Sequence, residues 1–192
     1  LHPALFLTAF APDVFGSSGV MGEYWGPPSM RWSGTGLYIA QNMGQFYMGA
    51  LPLLALLWGA MTGVLWERRA RVFTIALLFC IVYALGWYTP VFQILHAYMP
   101  GVDLYRRPAD AVFLIGFLAS VLSAFALDKL LRDESALRAP DALMMIALLA
   151  AAFAAMITLA IHFDKLAPAW PHIAISALLF VVAGALLSAA SQ

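Results

Sequence analysis

The chain has 192 residues, of which 64% are hydrophobic and 10% charged, and its mean hydropathy is +0.87. Soluble domains carry about 25% charged residues, so this chain cannot cover a water-facing surface and a soluble globular fold is excluded. Ten basic residues balance ten acidic ones, which removes the charge excess that nucleic acid or a broadly anionic partner would require.

Five uncharged apolar runs, 47–66, 72–88, 111–127, 142–161 and 173–190, are 17 to 20 residues long. A helix rising 1.5 Å per residue needs roughly 17–25 residues to cross the hydrocarbon core. The runs are continuous rather than alternating, which excludes barrel strands. The reading is an all-α, polytopic membrane protein with five transmembrane helices and a short interfacial helix, divided into a Gly/Pro/aromatic loop over 1–46 and a membrane domain over 47–192.

The chain opens "LHPALFLTAF" without a basic n-region, so this stretch is not read as a signal peptide. Its first residue is read instead as an internal position of a longer protein. The segment from Thr8 to Phe46 holds half of the 14 glycines. Its centre, "GEYWGPPSMRW", sets Tyr24, Trp25 and Trp32 among turn-forming Gly and Pro, with Glu23 and Arg31. Two roles are open to these aromatics: anchoring at the membrane interface, or stacking on sugar rings.

Basic residues set the orientation. The short loops 67–71 and 128–141 contain Arg68, Arg69, Arg71, Lys129, Arg132 and Arg138. The much longer segments 1–46, 89–110 and 162–172 hold only Arg31, Arg106, Arg107 and Lys165. Loops 67–71 and 128–141 are therefore expected to be cytoplasmic. All four histidines, together with Asp13, Glu23, Asp103, Asp110 and Asp164, then face the opposite side. Cys80, inside the second run, has no intrachain partner for a disulfide and reads as an apolar filler.

In the outer loop 89–110, "GWYTPVFQILHAYMPG" offers Thr89 as N-cap, Pro90 as the first helical residue and Pro100-Gly101 as the stop. Val91, Ile94, Leu95 and Tyr98 fall at i, i+3, i+4 and i+7, so a short amphipathic helix on the bilayer surface is predicted, with Gln93 and His96 off the stripe. The chain returns through "GVDLYRRPAD", where Pro108 and Asp110 suit a helix start. Arg106 and Arg107 sit beside that start at headgroup depth. Guanidinium forks at a helix N-terminus suit a lipid phosphate. Snorkelling to bulk lipid, or pairing with Asp103 and Asp110, is the alternative.

The stretches "YMGALPLLALL" (47–57) and "RRARVFTIALLFCIVYALGWYTPVFQILHAYMPGVDLYRRPADAVFLIGFLASVLSAFALDKLL" (68–131) resemble the bacterial YfhO-like integral membrane family. The matching positions are Tyr47, Gly49, Pro52 and Leu53, then Leu85, Gly86, Thr89, Pro90, Pro100, Gly101, Tyr105, Arg106, Pro108 and Ala109. "APDVFG" and "YWGP" upstream also look like that family. Two positions depart from its pattern: Trp87 stands where a basic residue often follows Leu-Gly, and Asp110 where a second arginine often follows Pro-Ala.

The resemblance implies a GT-C-type glycosyltransferase that uses a polyprenyl-phosphate-linked sugar at the outer face of the bacterial cytoplasmic membrane. Arg106, helped by Arg107, would hold the lipid phosphate. His96, Tyr88, Tyr24 and Trp25 would line the substrate region. The catalytic carboxylate is expected before residue 1, with Asp13 and Glu23 as weak stand-ins. A divalent metal is compatible with the resemblance, although the sequence shows no ligand cluster. The expected partners are membrane lipid and either further parts of the same chain or neighbouring membrane subunits.

Two other classes fit the same spans: a non-catalytic helical subunit, and a lipid-linked sugar transporter or flippase. Transport sites usually place polar groups or broken helices at mid-membrane. The five runs contain no charge, His, Asn or Gln, which argues against a transport path. Gly59/Gly63, Gly116/Ser120 and Gly184/Ser188 are small-xxx-small pairs suited to close helix contact.

Overall fold

A computed structural model describes residues 1–18, 23–27, 45–102, 108–132 and 138–190. Among these residues every regular element is helical: α1 (Ala50–Met61), α2 (Arg71–Leu85), α3 (Pro90–Tyr98), α4 (Val112–Arg132), α5 (Ala139–His162) and α6 (Leu166–Ala190), with short 3-10 turns between them. Four helical stretches are long and apolar enough to cross a membrane: Arg71–Tyr88, Pro108–Arg132, Ala139–His162 and Leu166–Ala189.

The first apolar run departs from its expected single span. It folds as the 12-residue α1, about 18 Å long, followed by a 3-10 turn at Val64–Trp66. The backbone explains the break. Gly49 (φ +99) and Gly63 (φ +82) bracket α1 in conformations that a helix cannot continue through. Two loops are also shorter than the charge pattern suggested. Helix α4 runs on through Asp128 and Lys129 to Arg132, and α6 begins at Leu166. Only a tight turn around Asp164 (φ +55) joins α5 to α6, closed by Lys165 N–H donating to the Ala160 carbonyl at 2.7 Å.

Short as it is, α1 sits at the centre. It packs on α4 and α6 and touches α5, while α2 packs on the other side of α4. Leu53, Leu54, Ala55 and Trp58 of α1 join Leu77, Ile115, Leu122, Ala126 and Leu187 in the main core. Approach is close at Gly59, where an added Cβ would lie 2.8 Å from the Ala126 Cβ. Ser123 of α4 ties the pair by donating its hydroxyl to the Pro52 carbonyl at 2.8 Å. Of the three small-xxx-small pairs, only that of Gly59 is used in this way. Gly116 and Gly184 face open space.

The N-terminal stretch is packed rather than loose. Leu5, Ala11, Val14 and Phe15 form a second core with Met156, Ala160, Ala169 and Ile173, at the turn between α5 and α6. The outward faces of the long helices are apolar, with Ile75, Phe117, Ile146 and Val181 all largely exposed, as a lipid-facing surface requires.

Candidate functional site

One end of the bundle gathers most of the residues that the sequence marks as chemically interesting. His2 meets Tyr88 edge-on with ring centroids 5.2 Å apart, and its Nδ1 accepts from the Ala4 N–H at 3.1 Å. Burial pushes the His2 imidazole below its ordinary pKa. Gly86 (φ +57) ends α2, and an added Cβ there would lie 2.8 Å from Pro108 Cγ. The Leu-Gly turn and the Pro-Ala helix start, more than twenty residues apart in sequence, therefore touch.

Helix α3 begins as its sequence predicts. Thr89 accepts from the Phe92 N–H at 3.5 Å, and Pro90 occupies the first turn. Its stripe faces outward: Val91, Ile94 and Tyr98 are exposed. Phe92, at 1% exposure, is the residue that holds α3 down. Its ring packs against Tyr83 at 5.4 Å, Trp87 at 5.7 Å and His96 at 5.9 Å. His96 thus belongs to an aromatic cluster with Trp87, 5.3 Å away. Trp87, which replaces a basic residue of the resembled pattern, is part of the packing that seats α3.

Tyr24 and Trp25 lie on the second core. Trp25 packs against Phe15 at 4.9 Å and Phe163 at 6.3 Å, and its N–H donates to the Phe15 carbonyl at 3.0 Å. The Tyr24 hydroxyl donates to the Pro27 carbonyl at 3.1 Å, and burial pushes its pKa up to about 12. These two aromatics anchor the 23–27 segment. Glu23 is exposed.

Asp13 is engaged on every side. Its Oδ1 accepts from Ser18 N at 2.9 Å, Gln45 Nε2 at 3.1 Å and the Ser17 hydroxyl at 3.2 Å, and its Oδ2 accepts from the Ser18 hydroxyl. Burial raises its pKa, but the hydrogen bonds from Ser18, Gln45 and Ser17 outweigh this and hold the carboxyl below the ordinary value. A carboxylate so stabilised is a poor proton acceptor. It is also a poor metal ligand, because its lone pairs are occupied. Among the described residues no group of three or more His, Cys, Asp or Glu comes together. Among the described residues the donors therefore do not fit a divalent metal.

Next to this knot lies a crevice of about 280 Å³ that sequence reasoning missed. Gln45, Phe46, Tyr47 and Met48 form one wall, and Ala109, Val112, Phe113, Gly116 and Phe117 of α4 and the turn before it form the other. The crevice opens sideways, since Phe113 and Phe117 are 75% and 63% exposed. Gly116 was the one available signal, because a glycine facing open space leaves room along a helix. Arg106 and Arg107 lie outside the described residues, immediately before the Pro108–Ala111 turn at the crevice rim. No protein-family model, no curated protein and no solved structure matches this sequence.

Proposed function

We propose that this chain is part of a membrane glycosyltransferase that moves a sugar from a polyprenyl-phosphate donor to an extracytoplasmic acceptor. One observation carries the reading: Tyr47 and Ala109, from two separate stretches of the resembled pattern, line one apolar crevice, bordered by the exposed Phe113 and Phe117. An isoprenoid chain lies in that crevice along α4. Its phosphate then stands beside Ala109, two residues after Arg107 in sequence. In this reading α1 completes a fifth crossing with its flanking turns, and α3 lies on the outer surface of the bacterial cytoplasmic membrane. Loops 67–71 and 128–141 are cytoplasmic.

The chemistry follows from the site's polarity. A carboxylate takes the proton from an acceptor hydroxyl, the oxygen attacks the anomeric carbon, and the bond from that carbon to the phosphate oxygen breaks. Arg106 stabilises the departing phosphate. The base is not assigned, and Asp13, already hydrogen-bonded throughout, is not given that role. A non-catalytic helical subunit is the second reading. It is favoured by the same fact, that the carboxylate held in the fold at this end serves structure.

The test is binding of polyprenyl phosphate by the full-length protein in detergent at fixed salt, followed by sugar transfer. A charge-assisted hydrogen bond contributes roughly 1.5–3 kcal/mol, so Arg106→Ala should weaken binding about 10–150-fold. Arg106→Lys should lose much of the same affinity, because an ammonium lacks the fork. Gly116→Phe, which fills the crevice, should also block binding. Equal binding by wild type and all three variants would sink the proposal. Binding without transfer would leave the subunit reading.

A further inference from the structure

At the far end of α2 from Tyr88 stand three arginines. Arg68, Arg69 and Arg71 are exposed, and among the described residues none makes an ion pair or side-chain hydrogen bond. The neighbouring carboxylates are committed elsewhere: Glu67 pairs with Lys129 at 3.5 Å, and Asp128 with Arg132 at 2.7 Å. Asp133 and Glu134 lie outside the described residues. Three like charges within four residues form a concentrated basic patch that attracts an anion.

An apolar track leads into the cluster. Val72, Ile75 and Phe79, at i, i+3 and i+7 of α2, are 71%, 54% and 53% exposed. They form a stripe about 10 Å long, within the roughly 15 Å hydrocarbon depth of one leaflet. Trp66, 52% exposed, precedes Arg68 by two residues, and indole rings favour the headgroup boundary. The surface is therefore amphiphilic, with an exposed indole and three guanidinium groups at the start of α2 and an apolar stripe running along the helix from them.

We infer that this corner of α2 is a binding site for an anionic phospholipid, with an acyl chain along Val72, Ile75 and Phe79 and the phosphate held by Arg68, Arg69 and Arg71. Guanidinium groups bind phosphate oxygens in pairs. A zwitterionic headgroup carries its own ammonium into the cluster and cancels part of the attraction, whereas an anionic headgroup does not. Inorganic phosphate would satisfy the arginines but not the stripe. The site is separate from the crevice at the other end, and the inference does not depend on glycosyl transfer.

The experiment places the whole chain in phosphatidylcholine nanodiscs containing brominated phosphatidylglycerol or brominated phosphatidylcholine. The Trp66 signal is taken as the difference between wild type and Trp66→Phe. The brominated anionic lipid should quench Trp66 at the lower mole fraction, by about fivefold for each arginine engaged at low salt. That preference should fall as salt is raised, and should vanish in an Arg68→Gln, Arg69→Gln, Arg71→Gln variant. Millimolar inorganic phosphate at constant ionic strength should not displace the lipid. Equal quenching by the two lipids, a salt-insensitive preference, or displacement by phosphate would overturn the inference. The salt titration decides on wild type alone if the triple variant fails to insert.

Discussion

Asp13 and Gln45, 32 residues apart, clasp each other in both directions: the Asp13 N–H donates to Gln45 Oε1 at 3.0 Å, and Gln45 Nε2 donates to Asp13 Oδ1 at 3.1 Å. The clasp ties the packed N-terminal stretch to the irregular segment 45–49 that leads into α1. Asp13 also adopts φ +57, which Asp and Asn tolerate better than other side chains. Asp13→Ala strips the acceptor from Gln45, Ser17 and Ser18 and strains the backbone. We expect a loss of about 2–4 kcal/mol, read as a lower unfolding midpoint in detergent. Asp13→Asn keeps the backbone preference and part of the hydrogen bonding, so its loss should be near 1 kcal/mol. An unchanged midpoint in Asp13→Ala would remove the clasp's structural role.

The same carboxylate sets a pH dependence. Its hydrogen bonds favour the ionised form and depress the folded pKa. The stabilisation is therefore complete above the unfolded value of about 3.9 and is lost as pH falls through the folded value. The midpoint difference between wild type and Asp13→Asn should stay constant from pH 8 to 5 and shrink below about pH 4. A difference that already collapsed near pH 6 would point to another group.

Gly59 and Gly116 make opposite predictions from the same residue type. A Cβ at Gly59 meets Ala126 Cβ at 2.8 Å and Leu65 Cδ2 at 3.1 Å, so Gly59→Ala must push α1 from α4. A cost of about 1–3 kcal/mol is expected for overpacking. Gly116→Ala meets nothing within 4 Å and should be neutral or slightly stabilising. Thermal unfolding of the two variants side by side checks the contrast, and equal losses would contradict the α1–α4 packing.

These glycines also mark where the sequence stops being legible. Helices α2, α4, α5 and α6 follow from uncharged runs, because length and composition are local properties. The Thr89–Pro90 start of α3 is local as well. The break of α1 is not, since hydropathy is blind to the positive φ of Gly49 and Gly63. The three small-xxx-small pairs read alike, yet only the surroundings of Gly59 make it a contact. Asp13 is legible as a carboxylate near the start of the chain, but its partner Gln45 becomes visible only once the chain folds back. The crevice, built from 45–48 against α4, is tertiary from the start.

The sidedness of the two ends can be measured directly. In a Cys80→Ala background, cysteines at the exposed positions Glu23 and Arg138 should differ towards an impermeant thiol reagent in intact cells. Position 23 should label and position 138 should not, because the basic loops are expected inside. The reverse pattern would invert the topology and move the proposed sugar chemistry to the wrong side.

Helix α3 separates packing from membrane contact within nine residues. Phe92 is its only buried side chain and touches Tyr83, Trp87 and His96, so Phe92→Ala should cost about 3–5 kcal/mol and free the helix. Faster proteolysis around Met99–Val102 would report that release in detergent and in bilayers alike. Val91, Ile94 and Tyr98 face outward and touch no core, so replacing all three by Ser should leave the detergent midpoint within about 0.5 kcal/mol. In a bilayer the same replacement removes the apolar face that a surface-seated helix inserts among the headgroups. Solvent exchange at the α3 amides should then rise in vesicles, while remaining unchanged in vesicles for Ala97→Ser, a substitution at an exposed α3 position off the stripe. If the triple Ser variant exchanged no faster than wild type in vesicles, α3 would owe its position to Phe92 alone and would not lie on the membrane surface.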